Sequence, residues 1–400
     1  MKVSSGVKRR CTFGELIECF DNKRIPLSAQ ERATRKGPYR YYGAQNVVDH
    51  IDAYLFDGEY ALIAEDGENL RSQKQDVAQI VEGQFWVNNH AHIIQANANA
   101  DLWYLCALLN QTDISRYISG SAQPKLSQEG MRKIVVEVPD VQEQRRIGLL
   151  LRSLDRKIAL NRRKIATLEK MAKEIYDYWF VQYDFPDANG RPYKSSGGEM
   201  VYSPELKREI PKGWKVEQLG GHLSQVEERV QSVGDDEDFY APIEVLPRKE
   251  MSFSIGAPIE NAVSGLCRFR ARDILISNRR VYFHKVCVAP RNGLTRDTVF
   301  VIRSKKSMSL AEMYQRVNSD EFISYATQSS YGSLQPVLPF GAIKTYRYAQ
   351  PPEALSVAYN GIANPIVENV LALHLDTDRL STLRDWLLPL LMNGQVKVGE

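Results

Sequence analysis

From Ile147 onward, apolar residues recur in alternating steps of four and three: Ile147, Leu151, Leu154, Ile158, Asn161, Ile165, Leu168, Ala172, Ile175 and Trp179. This is heptad spacing, which places one continuous seam on one side of a long helix. Asn161 is its only polar member. A second seam runs through Ile362, Ile366, Asn369, Leu373, Asp376, Leu380, Leu383, Leu387 and Leu390. Two such segments in one chain predict a pair of long helices packed antiparallel as a coiled coil. Asn161 falls opposite Asp376 in the pattern, and a polar layer in a seam costs stability but can fix register. Pro365 is expected to mark the true start of the second helix, and Pro389 to bend or end its last turns.

Outside the seams the period shortens. Strands are expected at Ala61–Ala64, His92–Ile94 and Ile134–Val138, turns at Asp57-Gly58 and Asp66-Gly67, and an apolar helix over Leu102–Leu109. The second half repeats this order: strands near Ile274 and Val299, a helix over Leu310–Val317, a Gly332–Pro339 loop, and a strand near Thr345. The repetition extends to identities. A shift of 208 aligns Asn110 with Asn318 and Tyr117 with Tyr325. A shift of 212 aligns Ser121-Ala122-Gln123-Pro124-Lys125-Leu126 with Ser333-Leu334-Gln335-Pro336-Val337-Leu338, and a shift of 215 aligns Thr167-Leu168 with Thr382-Leu383. The changing offset marks small insertions of the kind surface loops tolerate.

The fold class expected is therefore α+β, or mixed α/β. Two similar globular domains are separated by two long antiparallel helices, with a pseudo-two-fold internal repeat. The first domain is expected at 1–140, its helix at 141–182, a Pro- and Gly-rich linker at 183–212, the second domain at 213–352, and the second helix with a tail at 353–400.

Composition narrows the class. With 400 residues, 43 % of them hydrophobic, the chain is globular and too long for one ordinary core. No apolar run reaches the ~20 residues of a membrane helix, and Met1–Gly6 has no secretory character. The five cysteines are odd in number and none forms a Cys-x-x-Cys pair, as expected of reduced thiols in a cytoplasmic protein. Net charge is only +3, but Arg268–Lys306 holds eight Arg and three Lys against Asp273 and Asp297. These basics alternate with strand-like residues, a footprint common in polyanion binding.

Signs of catalysis are sparse. The only Pro-Pro, Gln350-Pro351-Pro352-Glu353, lacks the Asn/Asp and aromatic flanks of an amino-methyltransferase motif, and no Gly-rich nucleotide cradle follows a strand. Pro186-Asp187 with Glu205-Leu206-Lys207 has nuclease-like residues, but they fall in the turn-rich linker with no strands to hold both carboxylates on one metal. His90 and His92 share a strand face without a third ligand at matching spacing. The pattern fits a chain that performs no chemistry itself.

The segments Tyr41-Tyr42-Gly43-Ala44, Gln123-Pro124-Lys125-Leu126-Ser127, Glu143-Gln144-Arg145-Arg146-Ile147, Ile210-Pro211-Lys212-Gly213-Trp214 and Met392-Asn393-Gly394-Gln395-Val396 come in an order that resembles the DNA-specificity subunit of type I restriction–modification systems. The resemblance covers essentially the whole chain. It implies that each globular half is a target-recognition domain reading one part of a split double-stranded DNA site. It further implies that the helices space the domains and dock two methyltransferase subunits, with restriction and translocase subunits joining the full complex. S-adenosylmethionine is then expected in the methyltransferase partner, with no cofactor bound by this chain. The second repeat departs from the first at Gly341-Ala342-Ile343-Lys344, against Gly130-Met131-Arg132-Lys133, and at Pro365. Two other readings stay open: the recognition subunit of a simpler system with a fused methyltransferase and nuclease partner, and a self-contained DNA-modifying enzyme.

Phosphates require Lys and Arg, and base edges in the major groove require Arg, Asn, Gln and Ser. The DNA contacts expected in the first half are Lys23, Arg24, Lys36, Arg40, Tyr41, Tyr42, Gln45, Asn46, Arg71, Gln123 and Lys125. In the second half they are Ser277, Asn278, Arg279, Arg280, Ser330, Tyr331, Ser333 and Gln335, with Arg268, Arg270 and Arg296 as phosphate clamps. A helix from Ile147 to Phe180 would be roughly 50 Å long at about 1.5 Å per residue. That corresponds to ~15 base pairs, hence two half-sites of ~3–5 base pairs separated by ~5–8 unread ones.

Overall fold

A computed structural model of the chain describes residues 8–120, 123–234 and 239–399. The chain divides into two units, one comprising Met1–Arg156 with Ser381–Glu400, the other Lys157–Leu380. Ser121 and Ala122 of the repeated loop, and the N-terminal Met1–Gly6, lie outside the described residues.

The first unit is built on a six-stranded sheet in the order Ile17–Cys19, Ala91–Ala96, Phe56–Ala64, Ala78–Val87, Lys36–Tyr42, Val47–Ile51. The second contains a four-stranded sheet in the order Leu223–Val226, Val299–Ser304, Ile274–Ser277, Val286–Val288. The internal repeat extends to strand register. Ile17 opposite Ala96 recurs as Leu223 opposite Ser304, Ala61 opposite Ile94 as Ile274 opposite Ile302, and Ile63 opposite Ala78 as Ile276 opposite Val286. A slip of one residue would turn every buried side chain outward, so matched register means matched core faces.

Each unit also carries a two-stranded ribbon, Arg9–Thr12 with Val135–Val138 in the first and Lys215–Gln218 with Arg347–Gln350 in the second. Beside each ribbon a glycine permits a close approach. A Cβ on Gly14 would come within 2.9 Å of Arg132 Cβ, and one on Gly220 within 3.0 Å of Lys344 Cβ. The expected strand near Thr345 begins two residues later, at Arg347, because Phe340–Thr345 forms a short helix first. Its counterpart in the first unit is the helix Gln128–Lys133, capped by Ser127. Asp57-Gly58 is not a turn but lies inside the long strand Phe56–Ala64, paired to Gln84 and Gly83.

The units differ where the sheet edges are extended. The first adds Lys36–Tyr42 and Val47–Ile51 to its main sheet. The second instead builds a separate three-stranded sheet from Arg229–Val230, Leu266–Phe269 and Gly293–Arg296. In the stretch expected to be a linker, Met200–Ser203 and Arg208–Pro211 pair as a hairpin; just beyond it, Trp214 is buried in the second unit's core.

Two long helices are present, Val141–Tyr176, continued by a π turn at Asp177–Val181, and Glu353–Met392. The second does not start at Pro365; it runs through both Pro365 and Pro389. The missing N–H of Pro365 frees the carbonyl of Gly361, and both residues face solvent, where water can satisfy it. Most seam residues of the first helix are buried, from Ile147 (2 % exposed) and Leu151 through Leu154, Ile158, Asn161 (0 %) and Ile165; Leu168 and Ile175 pack at the margin.

In the second unit the two helices run antiparallel, since Asn161 meets Asp376 while Tyr176, further along the first helix, meets Tyr359, further back along the second. The second helix's seam lies one residue beyond the expected one. Ala363, Val367, Val370, His374 and Thr377 are buried, whereas Ile362 and Leu383 are 46 % and 42 % exposed. Ile366–Leu375 offers apolar residues on two adjacent stripes, and packing into the second unit's core, which includes Ile165 and Ala172 of the first helix, selects between them. Leu373 and Leu387 remain at the edge of the packed face and Leu380 is half-buried.

Candidate nucleic-acid interface

In the second unit, the strand Ile274–Ser277 ends in Asn278-Arg279-Arg280, and a hairpin based on Tyr331 and Val337 lies against it. Tyr331 and Val337 exchange backbone bonds of 3.0 and 2.8 Å. Val337 also bridges to Arg279, the Arg280 N–H donates to the Pro336 carbonyl at 2.9 Å, and the Leu338 N–H to the Asn278 carbonyl at 2.9 Å. The two loops singled out in this half therefore form one surface.

Within that surface the roles divide. Ser277 and Asn278 are buried and serve as framework, Ser277 Oγ donating to the Arg279 carbonyl and Asn278 Nδ2 to that of Asp297, each at 2.7 Å. Ser330 Oγ likewise closes the preceding helix by donating to the Ala326 carbonyl. Tyr331, Ser333, Leu334 and Gln335 are exposed. Arg280, in the left-handed region at φ 47°, donates from Nη2 to the Leu334 carbonyl at 3.3 Å. Neither Arg279 nor Arg280 meets a carboxylate among the described residues, so both charges remain unneutralised.

The first unit repeats this backbone pattern with different side chains. Asp66 bridges to Lys125, the Gly67 N–H donates to the Pro124 carbonyl, and the Leu126 N–H to that of Glu65. Where the second unit has Arg279-Arg280, the first has Asp66-Gly67. Two of its basic residues meet carboxylates. Arg24 pairs with Glu65 at 2.7 Å and Asp21 at 3.4 Å, and Lys125 with Glu65 at 3.2 Å. His92, 1 % exposed, bonds Asp21 Oδ2 through Nδ1 at 2.6 Å and the Leu126 carbonyl through Nε2 at 2.9 Å. The carbonyl can only accept, so Nε2 carries a proton. Burial works against the Asp21 carboxylate, but the His92 hydrogen bond and charge overcome it and hold Asp21 below its ordinary range. This buried cluster pins the strand after Gln123 and Pro124; Gln123 itself is exposed.

The remaining expected contacts scatter. Tyr41 (0 % exposed) and Tyr42 are core residues, the Tyr41 hydroxyl accepting from the Leu27 N–H, so neither presents a ring to a ligand. Lys36 is exposed and pairs with Asp49 at 2.6 Å, and Arg40 donates to the Glu82 carbonyl. Lys23 sits over the Phe20 ring, Gln45 lends its carbonyl to Gln79, Asn46 is exposed, and Arg71 bonds the Gly120 carbonyl.

The basic stretch Arg268–Lys306 does not form one open face. Arg268 and Arg270 both face Glu228, Arg272 pairs with Glu368, Arg291 with Asp378 and Arg303 with Asp273. Arg296 is half-buried with no partner for its Nε. Sequence reasoning missed Tyr282 and Leu334 as surface groups, because a lone apolar residue in a sequence reads as core. No group of His, Cys, Asp or Glu suited to a metal ion occurs among the described residues. Among the described residues no helix is long and apolar enough to cross a membrane.

Residues 9–170 match the family model described as type I restriction modification DNA specificity domain. The type I restriction enzyme MjaIX specificity subunit of Methanocaldococcus jannaschii is 24 % identical over 325 residues, covering 74 % of this chain and 69 % of the relative. Residues 9–170 of the chain therefore belong to the type I restriction–modification DNA-specificity family. A putative type I specificity subunit of Haemophilus influenzae is 29 % identical over 140 residues, 35 % of each chain. In fold, the chain is similar to the crystal structure of a type I restriction–modification S subunit from M. genitalium, with a TM-score of 0.67 at 11 % identity over 98 % of both chains.

Proposed function

We propose that this chain is the non-catalytic DNA-recognition component of a type I restriction–modification complex. Each unit reads one half of a bipartite, asymmetric double-stranded site, and the chain docks methyltransferase subunits, through which restriction subunits join. One observation carries the reading. The same loop-on-loop backbone bonding occurs in both units, but it presents Asp66-Gly67 in one and Arg279-Arg280 in the other. A fixed frame with exchanged side chains is what two reading heads of different specificity require, since frame and phosphate contacts position a protein while base-edge groups discriminate.

The test is to map methylated positions in DNA treated with the chain and its methyltransferase partner. The same is then done after residues 213–352 are exchanged for those of a relative. One half-site should change and the other persist. Methyl transfer from labelled S-adenosylmethionine by the purified chain alone would overturn the non-catalytic reading.

A further inference from the structure

The hairpin tip of the second unit holds an apolar side chain that none of the described residues covers. Leu334 is 87 % exposed, more than any other large hydrophobic residue described. The tip is braced. Tyr331 and Val337 close its base with two backbone bonds, Gly332 supplies a left-handed turn at φ 97°, and Arg280 holds the Leu334 carbonyl. Ser333 and Gln335, both exposed, flank the leucine, and two unneutralised arginines stand at its base. A leucine so placed suits a surface that is anionic overall and carries a small apolar group. The major groove of DNA admits a two-stranded ribbon, and the apolar group on its base edges is the C5-methyl of thymine.

We infer that Leu334 packs against a thymine C5-methyl in the half-site read by the second unit. Ser333 and Gln335 meet neighbouring base edges, and Arg279 and Arg280 meet phosphates. This rests on the DNA-recognition reading above and adds a base class to it: the second half-site contains a T·A pair under the tip. The position equivalent to Leu334 in the first repeat is Ala122 by sequence, a smaller side chain. The contact is therefore assigned to one half-site.

The experiment uses the complex of this chain with its methyltransferase partner and duplexes carrying its mapped site. Each thymine is replaced in turn by deoxyuridine, which lacks only the methyl group. One replacement should weaken binding by about fourfold, the worth of one buried methyl-sized group. The Leu334→Ala complex should bind the thymine and deoxyuridine duplexes equally while still preferring the site to a scrambled duplex. Because Leu334 is exposed, its melting temperature should match the wild type. The inference is overturned if no replacement matters, if Leu334→Ala keeps the full thymine dependence, or if the second half-site has no T·A pair. Wild-type complex that cannot tell the site from the scrambled duplex would overturn the recognition reading as well.

Discussion

Asn161 Nδ2 donates to Asp376 Oδ2 at 2.7 Å, joining the two long helices across a seam that is otherwise mostly apolar. Asn161 is 0 % exposed and its Oδ1 has no partner, so this single bond is all that satisfies the buried amide. Asp376 also lies 3.7 Å from Lys157 and reaches solvent. Removing the aspartate strands the asparagine. Asp376→Ala should cost on the order of 1–3 kcal/mol in urea unfolding. The Asn161→Leu/Asp376→Leu pair should recover most of that, since replacing both partners with apolar groups leaves nothing unpaired. Equal losses in the single and double variants would show that the bond contributes nothing.

Arg279 and Arg280 should act on affinity through charge. Alanine at either is expected to weaken complex binding to all duplexes alike and to make the salt dependence shallower, by about one unit of log–log slope for each phosphate no longer neutralised. Arg268→Ala, whose charge already faces Glu228, should change that slope far less. Titration of binding at several salt concentrations separates the two.

Two ionisable groups on the long helices hold the segment Met251–Ser254 of the second unit. Burial, opposed by the Met251 N–H at 2.7 Å, pushes Glu169 up to about 7, with Glu250 adding to the rise. The folded state thus keeps a proton that the unfolded chain, near 4.5, releases. Stability should fall as pH rises from about 4.5 to about 7. Glu169→Gln, which can still accept the Met251 N–H, should be more stable than wild type at pH 8, by on the order of 1–3 kcal/mol. A chemical-denaturation series across pH that shows no crossover between the two proteins would refute this.

His374 works in the opposite direction. Burial lowers it to about 4, and its Nδ1 faces Ser254 Oγ at 3.1 Å while Nε2 is unpartnered. The unfolded chain takes up a proton near 6.5 that the folded imidazole refuses until about 4. Stability contributed by neutral His374 should be lost as pH falls through that window. His374→Phe should flatten the acid limb of the stability curve between those values, and an unchanged limb would assign it to other groups.

The paired glycines give a geometric prediction. Gly14→Ala and Gly220→Ala each drive a methyl against backbone and Cβ of Arg132 and Lys344, and both should lower the melting point, by roughly 1–3 kcal/mol of stability. Gly341→Ala, in a helix with nothing within 4 Å of the new Cβ, should be neutral or stabilising by up to about 1 kcal/mol. If Gly341→Ala proved the most harmful of the three, the close approach would not be what these glycines serve.

The internal repeat, the helices at Leu102–Asn110 and Leu310–Val317, and the existence of both long helices were legible in the sequence, because periodicity and chain order are local properties. Asn161 facing Asp376 was legible too, since the repeat offset of 215 brings these two polar positions together. The burial stripe of the second helix was not. Ile362 and Ala363 serve a seam equally well in sequence, yet packing buries Ala363 and leaves Ile362 46 % exposed. Nor could sequence tell which arginines are free. Arg24, Arg268 and Arg303 find carboxylates distant in the chain, whereas Arg279 and Arg280 find a hairpin instead, and only tertiary structure decides whom a long, flexible cation meets.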